Sequence, residues 1–468
     1  MMLISMTEVT KASIPNRSIG EGIDVIDIDR DGAEELFLYI ASTRSPGTPS
    51  FNDVAIFEIG DEYRLQPAFR IESASEEETY PVAIHSQELM PFSPAPLQTG
   101  WLQDSRQIDF NGDGIEDLMV AGHGAEWPSS GYDDYESDDW ADLHANDPGF
   151  IEGWPGGDVQ VVIAGATPQV IDVTNERAFW HQSAAGDIDG DGDADIVTGA
   201  GAKVRLFLND GEAGFSRSDA PVGEDVSDLS PLSFGISNVE LADFNGNGRD
   251  EFIIGPTTGL YYDAEPGLRL IEYEPEGARY ETTFLPYPKV RNKDTGQLVD
   301  QEHLISDKLT IGDYDRDGDP DFLLKLSDDV EDSGPWTYIY RNDGNSEFSI
   351  VDFEPLDQKL AGEGGEFIDI NGDGLLDIVY PGWPAGGSFE ALLDLIFINE
   401  GGDRFTRAGD LNAAVDIQFS APHPTNPESQ LSDFNVTTIA GEPMLVAMRP
   451  GEWLGEADVL LGSLQVFD

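Results

Sequence analysis

Short apolar runs punctuate the chain at intervals, and each follows a stretch of alternating acidic residues and glycine. LFLYI begins at Leu36, DLMVAG at Asp117 and DIVTGAG at Asp195; EFIIG, DFLLKL and DIVYPG begin at Glu251, Asp321 and Asp377. A brief polar–apolar alternation leads into each acidic stretch, as in Val239-Glu-Leu-Ala-Asp243. After a turn-rich gap comes a second alternation that ends in a tight turn. Examples are Val204-Arg-Leu-Phe-Leu-Asn-Asp-Gly211 with Phe215, Trp336-Thr-Tyr-Ile-Tyr-Arg-Asn-Asp-Gly344 with Phe348, and Leu395-Ile-Phe-Ile-Asn-Glu-Gly401 with Phe405. Period-two patterning bounded by Asp-Gly turns predicts antiparallel hairpins, and nothing in the chain has helical periodicity. Four strands per unit and seven units predict an all-β, seven-bladed β-propeller with four-stranded antiparallel blades. The blades are expected to start near residues 18, 100, 178, 236, 306, 362 and 428 of a single domain spanning residues 1–468. The final unit runs out at Leu464–Asp468, where the others have their third strand. The strand-like Leu3–Val9, within about residues 2–10, is therefore expected to supply the outermost strand of the seventh blade and close the ring.

The acidic stretches share one grammar. Asp187-Ile-Asp-Gly-Asp-Gly-Asp-Ala-Asp195 places carboxylates at positions 1, 3, 5 and 9 of a nine-residue loop, with glycine at position 6. Alternate carboxylates in a tight loop converge on one point, where a hard divalent cation such as calcium would neutralise them. The glycine permits the sharp turn. Equivalent loops begin at Asp27, Asp109, Asp243, Asp313 and Asp369, and Asp433-Phe-Asn435 is a damaged seventh. Spacings of 82, 78, 56, 70, 56 and 64 residues describe a constant unit with variable insertions. An EF-hand is excluded, because its bidentate Glu sits at position 12 and amphipathic helices flank it.

Charge and composition narrow the partners. The formal net charge is −66 across 468 residues, which excludes nucleic acid and anionic membrane surfaces as ready partners. Bound metal would offset part of this acidity, and the remainder suits either a saline habitat or simple solubility. Cysteine is absent, so the fold uses no disulfides. No run of 18 apolar residues is present, so membrane insertion is not expected. No signal peptide is visible in the N-terminal residues. Because cytosolic calcium is scarce, an extracellular, cell-surface or periplasmic location is still expected. No hydrolase elbow, phosphate loop or zinc-protease motif occurs.

The repeated D-x-[DN]-x-[DN]-G-x-x-[DE], followed by an apolar strand and a later L-x-L-N-D-G-x-x-x-F, resembles the FG-GAP/VCBS repeat family, the calcium-loop propellers of integrin α-chains. The resemblance implies up to six structural calcium ions. Their side-chain ligands would be Asp27, Asp29, Asp31 and Glu35; Asp109, Asn111, Asp113 and Asp117; and Asp187, Asp189, Asp191 and Asp195. The remaining sets would be Asp243, Asn245, Asn247 and Glu251; Asp313, Asp315, Asp317 and Asp321; and Asp369, Asn371, Asp373 and Asp377. Carbonyls of Ala33, Ile115, Asp193, Arg249, Asp319 and Leu375 would complete them. It also implies that partners dock on the opposite face of the ring.

That face receives the longest connection, residues 122–157, which is acidic and rich in aromatic residues. A loop of this length in a compact domain is usually functional or disordered, and its aromatics argue against plain disorder. Trp127, Trp180, Trp383 and Trp453 map to this side, together with Trp336, and either wedge between blades or offer flat faces to sugar rings. Arg106 is expected to point into the channel. His123, His181 and His144 are candidates for hydrogen bonding or catalysis, with His123 and His181 approaching across adjacent blades. The expected function is a binding or adhesion module for a carbohydrate or protein partner. The alternative is a lyase that removes a sugar proton from an acidic polysaccharide through His123 and His181.

Overall fold

In the computed structural model, the described residues are 3–15, 18–41, 53–60, 64–70, 93–94, 102–122, 159–174, 180–200, 203–218, 236–256, 267–274, 279–292, 295–299, 304–328, 336–351, 364–380, 393–411, 414–418, 433–450 and 456–467. They form an all-β propeller with four-stranded antiparallel blades. In each blade the strand that leads into an acidic loop is innermost, and the apolar run that leaves the loop pairs with it.

Blade 1 consists of Ser18–Ile26, Glu34–Ala41, Asp53–Gly60 and Arg64–Arg70. Blade 2 consists of Leu102–Ile108, Asp117–Gly122, Gln160–Ile163 and Gln169–Asp172, with Ser93–Pro94 added in parallel at its rim. Blade 3 is Trp180–Gly186, Asp195–Ala200, Lys203–Leu208 and Ser216–Arg217. Blade 4 is Ile236–Ala242, Glu251–Pro256, Arg269–Glu274 and Arg279–Phe284. Blade 5 is Leu304–Gly312, Asp321–Asp328, Trp336–Asn342 and Phe348–Ile350. Blade 6 is Glu366–Ile368, Asp377–Val379, Ile396–Asn399 and Phe405–Arg407.

The repeat unit therefore builds six blades, one fewer than the seven expected. The gap between blades 6 and 1 is filled by a composite five-stranded sheet of different construction. Its order from the rim inwards is Ala414–Gln418, Leu3–Pro15, Glu456–Phe467, Glu442–Pro450 and Asp433–Ile439. Asp433 and Asn435 are not the start of a seventh acidic loop but residues of the innermost strand. A two-residue hairpin replaces the loop: Ile439 pairs with Glu442, and Ala440 and Gly441 both take positive φ (51° and 81°), as a type I′ turn requires.

The N-terminal strand joins this sheet in antiparallel register, from Leu3 opposite Phe467 to Pro15 opposite Glu456. It is not outermost, however. Ala414–Gln418 pairs with it in parallel on the far side, a strand no repeat motif signalled. Deleting residues 1–15 would remove a central strand and orphan the rim strand beside it. The expected outcome is a fall of more than 10 °C in melting temperature or failure to fold, read by calorimetry.

Packing follows from position 2 of each acidic loop. Ile28, Phe110, Ile188, Phe244, Tyr314 and Ile370 are all buried there. The three aromatics among them meet the motif phenylalanine at the start of the outer strand of the next blade: Phe110 with Phe215 (5.7 Å between ring centres), Phe244 with Phe348 (5.4 Å) and Tyr314 with Phe405 (5.8 Å). The L-x-L-N-D-G-x-x-x-F motif is thus a blade-to-blade contact as well as a turn. Trp336 is buried at 2% exposure within the cluster between blades 4 and 5, so it serves the core rather than a ligand platform.

Candidate functional site

Each acidic loop is wound by its own first aspartate. In all six, the backbone N–H at position 6 donates to the position-1 carboxylate: Gly32 to Asp27 (3.0 Å), Gly114 to Asp109 (2.6 Å), Gly192 to Asp187 (3.0 Å), Gly248 to Asp243 (2.8 Å), Gly318 to Asp313 (3.2 Å) and Gly374 to Asp369 (2.8 Å). Those six glycines have φ between 82° and 97°, a region side chains avoid, so glycine is required there.

The position-9 acid plays a second part that the sequence reading missed. Glu35, Asp117, Asp195, Glu251, Asp321 and Asp377 are almost wholly buried, at 0–1% exposure. One oxygen of each accepts the N–H of position 2, from Ile28, Phe110, Ile188, Phe244, Tyr314 and Ile370 at 2.9–3.1 Å. Where the residue is Asp, its other oxygen accepts an N–H from the end of the third strand: Ala164, Asn209, Asn342 or Asn399, at 2.8–2.9 Å. Burial pushes these carboxyls up, Glu35, Glu251 and Asp321 to about 8 and Asp195 and Asp377 to about 7. A nearby divalent cation would reverse that penalty by stabilising the charged form.

Asn209, Asn342 and Asn399 also escaped notice as anything but turn residues. Their side-chain amides donate to the position-2 carbonyl of the preceding blade's loop: Asn209 to Phe110 (2.8 Å), Asn342 to Phe244 (2.8 Å) and Asn399 to Tyr314 (2.9 Å). Three of the six loops are thus hooked to the next blade. The Asn in Asn-Asp-Gly, or Asn-Glu-Gly at Asn399, carried the signal.

Three clusters could hold a metal ion: Asp27/Asp29/Glu35, Asp187/Asp189/Asp195 and Asp313/Asp315/Asp321. In each, ligand oxygens lie within 4.8 Å of one another, a spread that one calcium ion with oxygens about 2.4 Å away would bridge. Loops starting at Asp109, Asp243 and Asp369 do not form such three-carboxylate groups. Asparagine occupies their position 3.

At the other end of the innermost strands the pairing register slips by one residue in four successive blades. The extra residue is Gln103, His181, Ser237 and Asp307 in blades 2 to 5, each six residues before its acidic loop. The backbone places these four polar residues at one level of the innermost strands, at the end opposite the loops. Trp180 precedes His181 on the same strand. Arg106 lies nearer the acidic loops. Its Nη2 donates to Glu240 Oε1 of blade 4 at 2.5 Å. His123, His144, Trp127, Trp383 and Trp453, with nearly all of the 122–157 connection, lie outside the described residues. The proximity expected between His123 and His181 lies there too.

Comparison with known proteins agrees with the repeat. Residues 187–254 and 313–380 match the FG-GAP-like repeat, so the resemblance to that family is shown at two places in the chain. A search of curated proteins returns no match. Solved structures with some likeness include a lectin of Agrocybe aegerita that specifically recognises non-reducing terminal N-acetylglucosamine, at 14% identity (72% of this chain, 79% of that chain, TM-score 0.34). Others are the exotype rhamnogalacturonan lyase YesX, at 13% identity (98% of this chain, 75% of that chain, TM-score 0.40), and the Dos1 propeller, at 9% identity (98% and 95%, TM-score 0.37). Scores this low carry no functional argument. No helix among the described residues is long and apolar enough to cross a membrane.

Proposed function

We propose that the protein is a calcium-stabilised binding module of the extracellular or surface milieu, presenting a carbohydrate or protein partner to the channel mouth opposite its acidic loops. The observation that carries this reading is the recurrent bulge that sets Gln103, His181, Ser237 and Asp307 at one level. An amide, an imidazole, a hydroxyl and a carboxylate offer both donors and acceptors, the complement of a hydroxyl-rich ligand. Trp180 next to His181 adds an aromatic residue of the kind that stacks on sugar rings.

The charge balance favours a neutral sugar over a uronate. Among the described residues of the innermost strands, the cations Arg106 and Lys308 are engaged by Glu240 and Glu366. An acid-sugar lyase needs cations to neutralise the substrate carboxylate. A glycan array with wild-type protein and His181→Ala tests the reading. The variant is expected to lose at least tenfold in affinity for the recognised glycan with an unchanged melting temperature. Equal binding by the two proteins would overturn it. Ultraviolet-absorbing product from uronate polymers, lost in His181→Ala, would establish the lyase instead.

A further inference from the structure

The family resemblance implies a metal in every loop, but the loops are of two kinds in strict alternation. Position 3 reads Asp29, Asn111, Asp189, Asn245, Asp315, Asn371. The first, third and fifth loops therefore offer four carboxylates each. The second, fourth and sixth offer three, two and three.

In the even loops, side-chain nitrogen already occupies oxygens that a metal would need. Arg30 of the first loop donates from Nη2 to Asp113 Oδ2 of the second at 2.6 Å. In the fourth, Asn245 Nδ2 donates to Glu251 Oε1 at 2.7 Å, and Asn247 Nδ2 reaches the same oxygen at 3.5 Å. In the sixth, Asn371 Nδ2 donates to Asp373 Oδ2 at 3.0 Å. The Arg316 guanidinium of the fifth loop lies against Gly374 of the sixth, 2.6 Å from where a Cβ would stand. Among the described residues, no side-chain nitrogen donates to a ligand oxygen of the odd loops.

Arginines tie the loops in the same pairs. Arg30 and Arg316 reach forward from odd to even, and the Arg249 stem covers Gly190 of the third loop. Both stretches that match the FG-GAP-like repeat begin at an odd loop and end just beyond an even one.

We infer that the metal sites alternate: the loops at Asp27, Asp187 and Asp313 bind calcium, while those at Asp109, Asp243 and Asp369 are closed by arginine and amide nitrogen without it. This rests on the metal reading proposed above. It follows from elementary electrostatics, because an N–H donor and a divalent cation compete for one carboxylate oxygen.

The test is calcium stoichiometry of the full chain, stripped of metal and titrated with calcium chloride, read by native mass spectrometry and calorimetry. Three tightly bound ions are expected. Asp189→Asn is expected to reduce the count to two, and Asp113→Asn to leave it at three. Six bound ions, or a loss in Asp113→Asn, would overturn the alternation while leaving the metal reading intact. Zero bound ions would overturn the metal reading itself.

Discussion

Removal of calcium by a chelator is expected to lower the melting temperature by roughly 8 °C. Each site held at about 100 times its Kd adds about 2.7 kcal/mol by mass action, and three sites act together. A chain of this length unfolds with an entropy of about 1 kcal/mol/K, which converts the sum into that shift. The loops transmit the loss beyond themselves, because Asp195 and Asp321 bond the ends of their third strands and the Asn399 amide ties the loop at Asp313 to the next blade. Differential scanning calorimetry with and without chelator checks it. A shift below 2 °C would remove calcium from the stability of this fold.

Acidification is expected to act in opposite directions on the two forms. In the metal-free protein, burial raises Glu35, Glu251 and Asp321 to about 8 and Asp195 and Asp377 to about 7, from ordinary values of 4.5 for Glu and 3.8 for Asp. Between about pH 4 and 8 the folded state then binds more protons than the unfolded one, so stability falls as pH rises through that window. The metal-free protein should therefore melt higher at pH 5 than at pH 8. In the calcium-loaded protein the position-9 acids of the three calcium loops, Glu35, Asp195 and Asp321, are held charged, and protons compete with the metal there. Its melting temperature should fall on going from pH 8 to pH 5. Melting curves at both pH values, with calcium and with chelator, separate the two. Parallel responses would show that the buried acids and the ions are not linked.

The parts of this molecule that could be read from sequence are those encoded within about ten residues. A loop wound by Asp187 and turned at Gly192, with an apolar strand beyond, is local chemistry. The six-fold repetition made it unmistakable. What escaped was relational. Asn342 reads as a turn residue until the blade before it supplies the Phe244 carbonyl. The Asp/Asn alternation at position 3 was visible, but comparing each loop with a shared pattern hid the difference between neighbours. Ala414–Gln418 matches no repeat element, and only its pairing with Leu3–Thr7 defines it. Trp336 has the composition of a ligand platform and the burial of a core residue. His181 drew attention as a rare histidine. The register slip that leaves it out of the strand ladder is a feature of two paired strands, which a single strand cannot reveal.

The N-terminal strand also dictates an order of events. Leu3 finds its partner at Phe467, so this strand is satisfied only after more than 450 later residues have been made. Blades 1 to 6 can each form from contiguous sequence and stack as they emerge. Closure waits for the final strand, and the loop-closure entropy of nearly the entire chain is paid at that step. Until then Leu3–Pro15 is an unpaired edge able to recruit strands from other chains. Its lysine and threonines, among few apolar residues at Thr7–Ser13, suit a strand that must stay soluble while it waits. Slow refolding and concentration-dependent losses should therefore trace to this one sheet, and to no individual blade.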